Sequence, residues 1–290
     1  MQQFGLRARL VDYGRLIRLH QPTGIWVLGW PAMWALWLAA SGHPHERTLT
    51  VFALGVLLTR SAGCALNDFA DRKIDPHVKR TLNRPLAAGR ITAAEAMSIY
   101  IALSLAAFAL VCLLDQLTVA YAVVGALLTL IYPFLKRWFS LPQAWLGLAF
   151  TWSVPMAFVA EQHVIPPVGW VLFAAGIFWT MVYDTEYAMV DRDDDFKVGI
   201  KSTALLFGRA DRLIIGICQM SVIGLLGVVG AMLERGHWYM LGILAGACLF
   251  AYQQRLIQFR EREACFRAFK NNAWFGAVVF IGIALDYLFT

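Results

Sequence analysis

Apolar residues fall in long blocks rather than in the short alternations of strands, each block running about 18 to 24 residues, enough to cross a hydrocarbon core roughly 30 Å thick. Nine such blocks are evident, at about 22–41, 49–66, 93–114, 117–135, 143–161, 168–190, 212–233, 237–255 and 272–289. The polar segments between them are short, except after the second and sixth blocks. The pattern predicts an all-α, polytopic membrane protein with nine transmembrane helices in one domain, residues 1–290. Thr92-Ala-Ala-Glu95 reads as a capping box opening the third span. Residues 1–20, with Arg7, Arg9, Arg15 and Arg18 among Leu, Ile and Tyr, read as an amphipathic segment on the cytoplasmic surface.

Composition agrees. The 290 residues are 59% hydrophobic and 15% charged, against about 25% charged in an average soluble domain. The net charge of +6 could suggest nucleic acid, but its distribution indicates membrane topology. The N-terminus and the exits of spans 2, 4, 6 and 8 hold 22 of the 25 Lys and Arg residues. The positive-inside rule then puts the N-terminus and even-numbered exits in the cytoplasm and Thr290 outside. The first apolar stretch is a full span without a small-residue cleavage pattern, so no cleaved signal is expected. The five cysteines lack metal or redox spacing, and the six histidines form no HExxH pattern, which argues against disulfides and zinc.

Two acidic clusters stand where spans 2 and 6 run out. The first is Asn67-Asp68-Phe-Ala-Asp71-Arg-Lys-Ile-Asp75. The second runs from Asp184 through Glu186 to Asp191-Arg-Asp193-Asp194-Asp195. Asp71/Asp75 and Asp191/Asp195 share one spacing, and residues four apart share a helix face. With helix continuing to about Asp75, where Pro76 ends it, each pair presents two carboxylates to one point. Either cluster alone would read equally well as a solvated helix end. Together, on the same side, they point to opposed carboxylates held by Mg2+, and Mg2+ to a phosphorylated substrate. Asp193 and Asp194 point elsewhere and read as solvated.

Arg60 lies inside a span, two turns before Asn67 on the same face, where a charge is costly and marks function. Its planar fork suits a carboxylate; snorkelling or an ion pair with a buried acid is the structural alternative. Most basic residues near the clusters follow from topology, while Lys73, Arg84, Lys136 and Lys201 are expected to complement diphosphate charge. Gly199-Ile-Lys201-Ser202-Thr203 lacks P-loop spacing.

The NDxxDxxxD motif at 67–75 and the YDTEYAMVDRDDD motif at 183–195 closely resemble those of the UbiA superfamily of intramembrane prenyltransferases. The likeness extends through Asn83-Arg84-Pro85-Leu86, Tyr132 to Arg137, Gly199 to Thr203 and Arg260 to Cys265, nearly the whole chain. The resemblance implies nine helices around a central cavity open to lipid, as two related four-helix units plus a ninth helix. It implies two Mg2+ ions bridging a polyprenyl diphosphate, one held by Asn67, Asp71 and Asp75 with Asp68 nearby, the other by Asp191 and Asp195. Lys136 matches a basic position near the diphosphate, and Arg60 the position expected to hold the aromatic acid. The loop wording resembles the proteobacterial branch that prenylates position 3 of 4-hydroxybenzoate in ubiquinone biosynthesis. That implies an enzyme of the bacterial inner membrane, active at its cytoplasmic face. A sister acceptor remains open, such as homogentisate, a naphthoate, or a haem or chlorophyll precursor. A secondary transporter is disfavoured because its acids would lie near the midplane, and the DGxxAR-type motif of an alcohol phosphotransferase is absent.

Overall fold

The computed structural model describes residues 6–290. Its twelve α-helices are α1 (Leu6–Leu16), α2 (Thr23–Ala39), α3 (Glu46–Asp71), α4 (Ala93–Val111), α5 (Gln116–Leu135), α6 (Pro142–Thr151), α7 (Ser153–Gln162), α8 (Pro167–Val198), α9 (Thr203–Phe207), α10 (Asp211–Met232), α11 (His237–Leu256) and α12 (Arg262–Phe289), with no strand among the described residues. Eight helical stretches are long and apolar enough to cross a membrane, counting α6–α7 and α9–α10 as one each; α2 is equally apolar but spans 17 residues. The chain is an all-helical, multi-pass membrane protein.

α8 is the axis of the bundle. Of its most apolar window 61% is buried, against 11% for α4 and for α5. α10, α6 and α12 pack on α8, and α2 lies against α7 and α12. Trp34 and Trp179 stack with ring centres 5.0 Å apart. Trp179 Nε1 donates to Asn272 Oδ1 at 2.8 Å, and Asn272 Nδ2 donates to the buried Glu186 at 2.8 Å. This chain of bonds pairs the buried Trp179 N–H and one oxygen of Glu186, while Glu186 Oε1 is left without a partner. The outward faces of α4, α5 and α10 carry exposed leucines, phenylalanines and methionines, as a surface solvated by lipid requires.

Three local departures from the expected helices have simple causes. The span expected at 143–161 is broken between Thr151 and Ser153, because Pro155 has no N–H to offer the Thr151 carbonyl. α3 ends at Asp71, and Asp75 opens a separate 3-10 turn, Asp75–His77, so Asp75 does not extend the helical stripe of Asn67 and Asp71. Asp194 is buried and paired with Arg262 at 2.9 Å rather than solvated; Asp193 alone stays exposed. The capping box forms as expected, with Thr92 and Glu95 bonded reciprocally.

α1 is fastened to the bundle. Tyr13 donates to Glu95 at 2.7 Å, Arg9 pairs with the same carboxylate, and Arg90 Nε meets Asp12 at 3.0 Å.

Candidate active site

α3 and α8 bring the two acidic motifs to the same end of the bundle, and four cations from three other segments close around them. Lys136, the first residue past α5, reaches Asp71 Oδ2 at 2.5 Å and Asn67 Oδ1 at 3.1 Å. Arg84 Nη1 bridges Asp68 Oδ1 at 3.0 Å and Asp75 Oδ2 at 2.9 Å. Arg18, on the linker after α1, adds a second guanidinium to Asp68 at 2.6 Å. Across the site, Arg80 Nε holds both oxygens of Asp191, at 2.9 and 3.0 Å, and its guanidinium lies over the Tyr187 ring. Asp195, one turn on, is half-buried and close enough to Arg80 and Lys136 to feel both charges. Lys136 thus joins the two clusters electrostatically.

These cations do not saturate the carboxylates. Asp68 Oδ2 and Asp71 Oδ1 are each shut away from solvent without a hydrogen-bond partner, and a buried unpaired carboxylate oxygen is costly. Burial holds the Asp75 carboxyl above the usual carboxylate range, against the pull of Arg84. Burial works to lower the Lys136 ammonium, but Asp71 beside it raises it more. Vacant hard oxygens beside Asn67 and Asp75 fit a Mg2+ donor set. Among the described residues, though, no three carboxylates, histidines or cysteines converge as ligands, because ammonium and guanidinium groups stand between the aspartates.

Beneath the clusters lies a cavity of about 620 Å3, walled by helices α2 to α8 and α12 and reaching up to Asn67, Arg84 and Arg18. Arg60 lines it, half-buried. Its one side-chain hydrogen-bond partner is Cys64 Sγ at 2.6 Å, and its Nε is buried without one. The guanidinium is therefore not tied up by an internal acid. Asp184, Tyr132, Tyr183 and Tyr187 share the same walls, adding acceptors and ring faces to a lining of mixed apolar and polar residues.

Two expected cations do not join the site. Lys73 is exposed on the turn after α3. Lys201 is exposed and donates to the Trp138 carbonyl at 2.8 Å, and neither lines the cavity. The helix break at Asp71 turns residues 72 and 73 outward. Sequence reasoning did not single out Arg18 and Arg80, which take the places next to the acids. Arg80 could be suspected from its position between the motifs. Nothing in the sequence marks Arg18, whose left-handed φ of 61° aims it at a residue 50 positions away.

An all-helical intramembrane bundle with paired aspartate motifs over an apolar cavity defines a class, and the family comparison agrees. The sequence profile of the UbiA prenyltransferase family matches residues 28–280, and the chain belongs to that family. The 4-hydroxybenzoate octaprenyltransferase of Coxiella burnetii (strain CbuK_Q154) is 52% identical over 282 residues, 97% of this chain and 98% of the relative. That of Chromohalobacter salexigens is 55% identical over 279 residues, 96% and 94% of the two chains. Among solved structures, an apo UbiA homolog from Aeropyrum pernix K1 superposes with a TM-score of 0.79 at 22% identity, covering 90% of this chain and 97% of that one. A UbiA homolog from Archaeoglobus fulgidus bound to GPP and Mg2+ gives 0.69 at 17% identity, over 94% and 99%. At these identities the structures share the fold.

Proposed function

We propose that this chain transfers a polyprenyl group from polyprenyl diphosphate to ring carbon 3 of 4-hydroxybenzoate, releasing diphosphate, as a step of ubiquinone biosynthesis. One observation carries the reading: one cavity is lined by the Arg60 guanidinium, which no acid pairs, and reaches Asn67, Arg84 and Arg18 beside the first aspartate motif and Asp184 of the second. A carboxylated aromatic and an allylic diphosphate are the two molecules that this arrangement suits. The name shared by the Coxiella and Chromohalobacter relatives supports the same pair.

Asn67, Asp68, Asp71 and Asp75 would hold one Mg2+, and Asp191 and Asp195 a second. Such ions, when bound, neutralise charge on the departing diphosphate. Lys136, Arg84, Arg80 and Arg18, clustered at the aspartates, would bind the diphosphate oxygens. Arg60 grips the benzoate carboxylate bidentately, which sets the ring's orientation and brings the carbon ortho to the phenol against the allylic carbon. As the allylic C–O bond breaks, its electron pair leaves with diphosphate. The ring carbon then forms the new C–C bond and loses its proton. The apolar lining excludes the water that would quench the allylic cation, and Tyr132, Tyr183 and Tyr187 offer ring faces to it.

The whole chain acts as one membrane domain. Counting α2, it crosses nine times, as two related four-helix units plus α12, with the N-terminus and the site on the cytoplasmic side of a bacterial inner membrane. The Lys/Arg distribution supports that orientation. The test is purified protein in detergent with ring-labelled 4-hydroxybenzoate, a polyprenyl diphosphate and Mg2+, with and without EDTA. A lipid-soluble product prenylated at position 3 and lost with EDTA is expected. Folded protein that prenylates homogentisate or a naphthoate but not 4-hydroxybenzoate overturns the acceptor assignment.

A further inference from the structure

We propose that the groove between α10 and α11, remote from the substrate cavity, binds the headgroup of an anionic phospholipid, with an acyl chain lying along α10. The groove, an open depression of about 900 Å3, is lined at its polar end by Arg209, Arg212 and Arg260, with no carboxylate in its wall. Below the arginines run Leu213, Ile217 and Met220, at 67%, 55% and 71% exposure. Their spacing of four and three residues makes one continuous stripe down the lipid-facing side of α10. A basic head above an apolar track matches a phospholipid in charge and in shape.

The positive-inside rule would supply cations at this end without building a site, but their partners differ here from those of ordinary surface cations. Asp211, fully buried, is the acid that pairs with Arg260, at 2.7 Å, and it is already shared by Arg192 at 3.1 Å. Arg212 has its side-chain hydrogen bond to the Gln254 carbonyl at a long 3.4 Å, and its Nε is buried with no partner. Three arginines therefore line one hollow, and the acid that holds Arg260, Asp211, is doubly engaged. A phosphodiester supplies the acceptors that Arg212 lacks.

The probe is phosphatidylglycerol added to the full-length protein in detergent, with phosphatidylcholine as the zwitterionic control and inorganic phosphate as the free anion. Native mass spectrometry reads retained lipid, and thermal unfolding reads stabilisation. The wild type should retain phosphatidylglycerol over phosphatidylcholine and melt higher with it. The double variant R209Q/R212Q should bind it about 25-fold more weakly, since each interfacial cation contributes about a factor of five. Gly216→Leu keeps every charge; a β-carbon there meets only Gln254 Nε2, at 3.6 Å, so the longer side chain fills the groove and should abolish retention on its own. That second variant decides the matter if the double variant fails to fold. Equal retention of the two lipids, or retention surviving Gly216→Leu, overturns the proposal. So does stabilisation by inorganic phosphate equal to that by phosphatidylglycerol, which would define a free-anion site.

Discussion

Gly24 and Arg60 are packed so closely that a β-carbon on Gly24 would overlap the guanidinium. The first turn of α2 thus holds Arg60 against the cavity wall, and the absence of a side chain is what leaves it room. Gly24→Ala should push the guanidinium off its position at a cost of about 1–3 kcal/mol. Steady-state kinetics should show KM for 4-hydroxybenzoate rising about tenfold, with KM for the prenyl diphosphate nearly unchanged. Equal changes in both would argue against Arg60 as the carboxylate anchor.

Asp71→Asn and Asp191→Asn remove one charge from each motif without changing side-chain volume. Turnover should fall at least about 100-fold in each, the equivalent of several kcal/mol of lost charge stabilisation. Elution profile and melting behaviour in detergent check that the variants fold. Near-normal rates in both would remove the metal from the proposed mechanism.

Lys136→Met strips Asp71 and Asn67 of their shared ammonium. Breaking a buried pair leaves an uncompensated charge, worth roughly 3 kcal/mol, so the variant should melt lower in EDTA. Mg2+ should recover more of the lost stability in Lys136→Met than it adds to the wild type. A melting point insensitive to Mg2+ in the variant would count against cation exchange at Asp71.

In the core, Asn272→Leu leaves the Trp179 N–H and the Glu186 carboxyl without their shared partner. The loss should be about 2–5 kcal/mol, seen as a lower denaturation midpoint. Glu186→Gln keeps an acceptor for Asn272 and should be nearly silent in the same measurement.

The spans, the capping box at Thr92 and the acidic motifs were legible because each is a local signal: block length, a three-residue spacing, a charge at an apolar boundary. What escaped the sequence depends on where the backbone stops being regular. Ending α3 at Asp71 rather than Asp75 turns Lys73 outward and gives its place to Arg80 and Arg84. Arg18 reaches Asp68 only because the chain reverses before Pro22. Asp194 looked solvated because its partner, Arg262, lies 68 residues away on another helix. Propensity and periodicity do not encode such long-range pairings.

The 32 residues of α8 form one uninterrupted helix from Pro167 to Val198, ended by Gly199 in the left-handed conformation that glycine adopts without strain. The same rod therefore carries the Trp179 anchor in the core, Asp184 on the cavity wall, and Asp191 and Asp195 two to three turns further on, in the second acidic cluster. The second motif behaves as the fixed jaw of a vice, its position set by packing some two turns or more below. The first motif's helix stops at Asp71; Asp75 opens the short 3-10 turn after it, and Arg80 and Arg84 ride on the turns that follow. If a diphosphate seats between the two, the side that no long helix fixes is the one that would adjust to it.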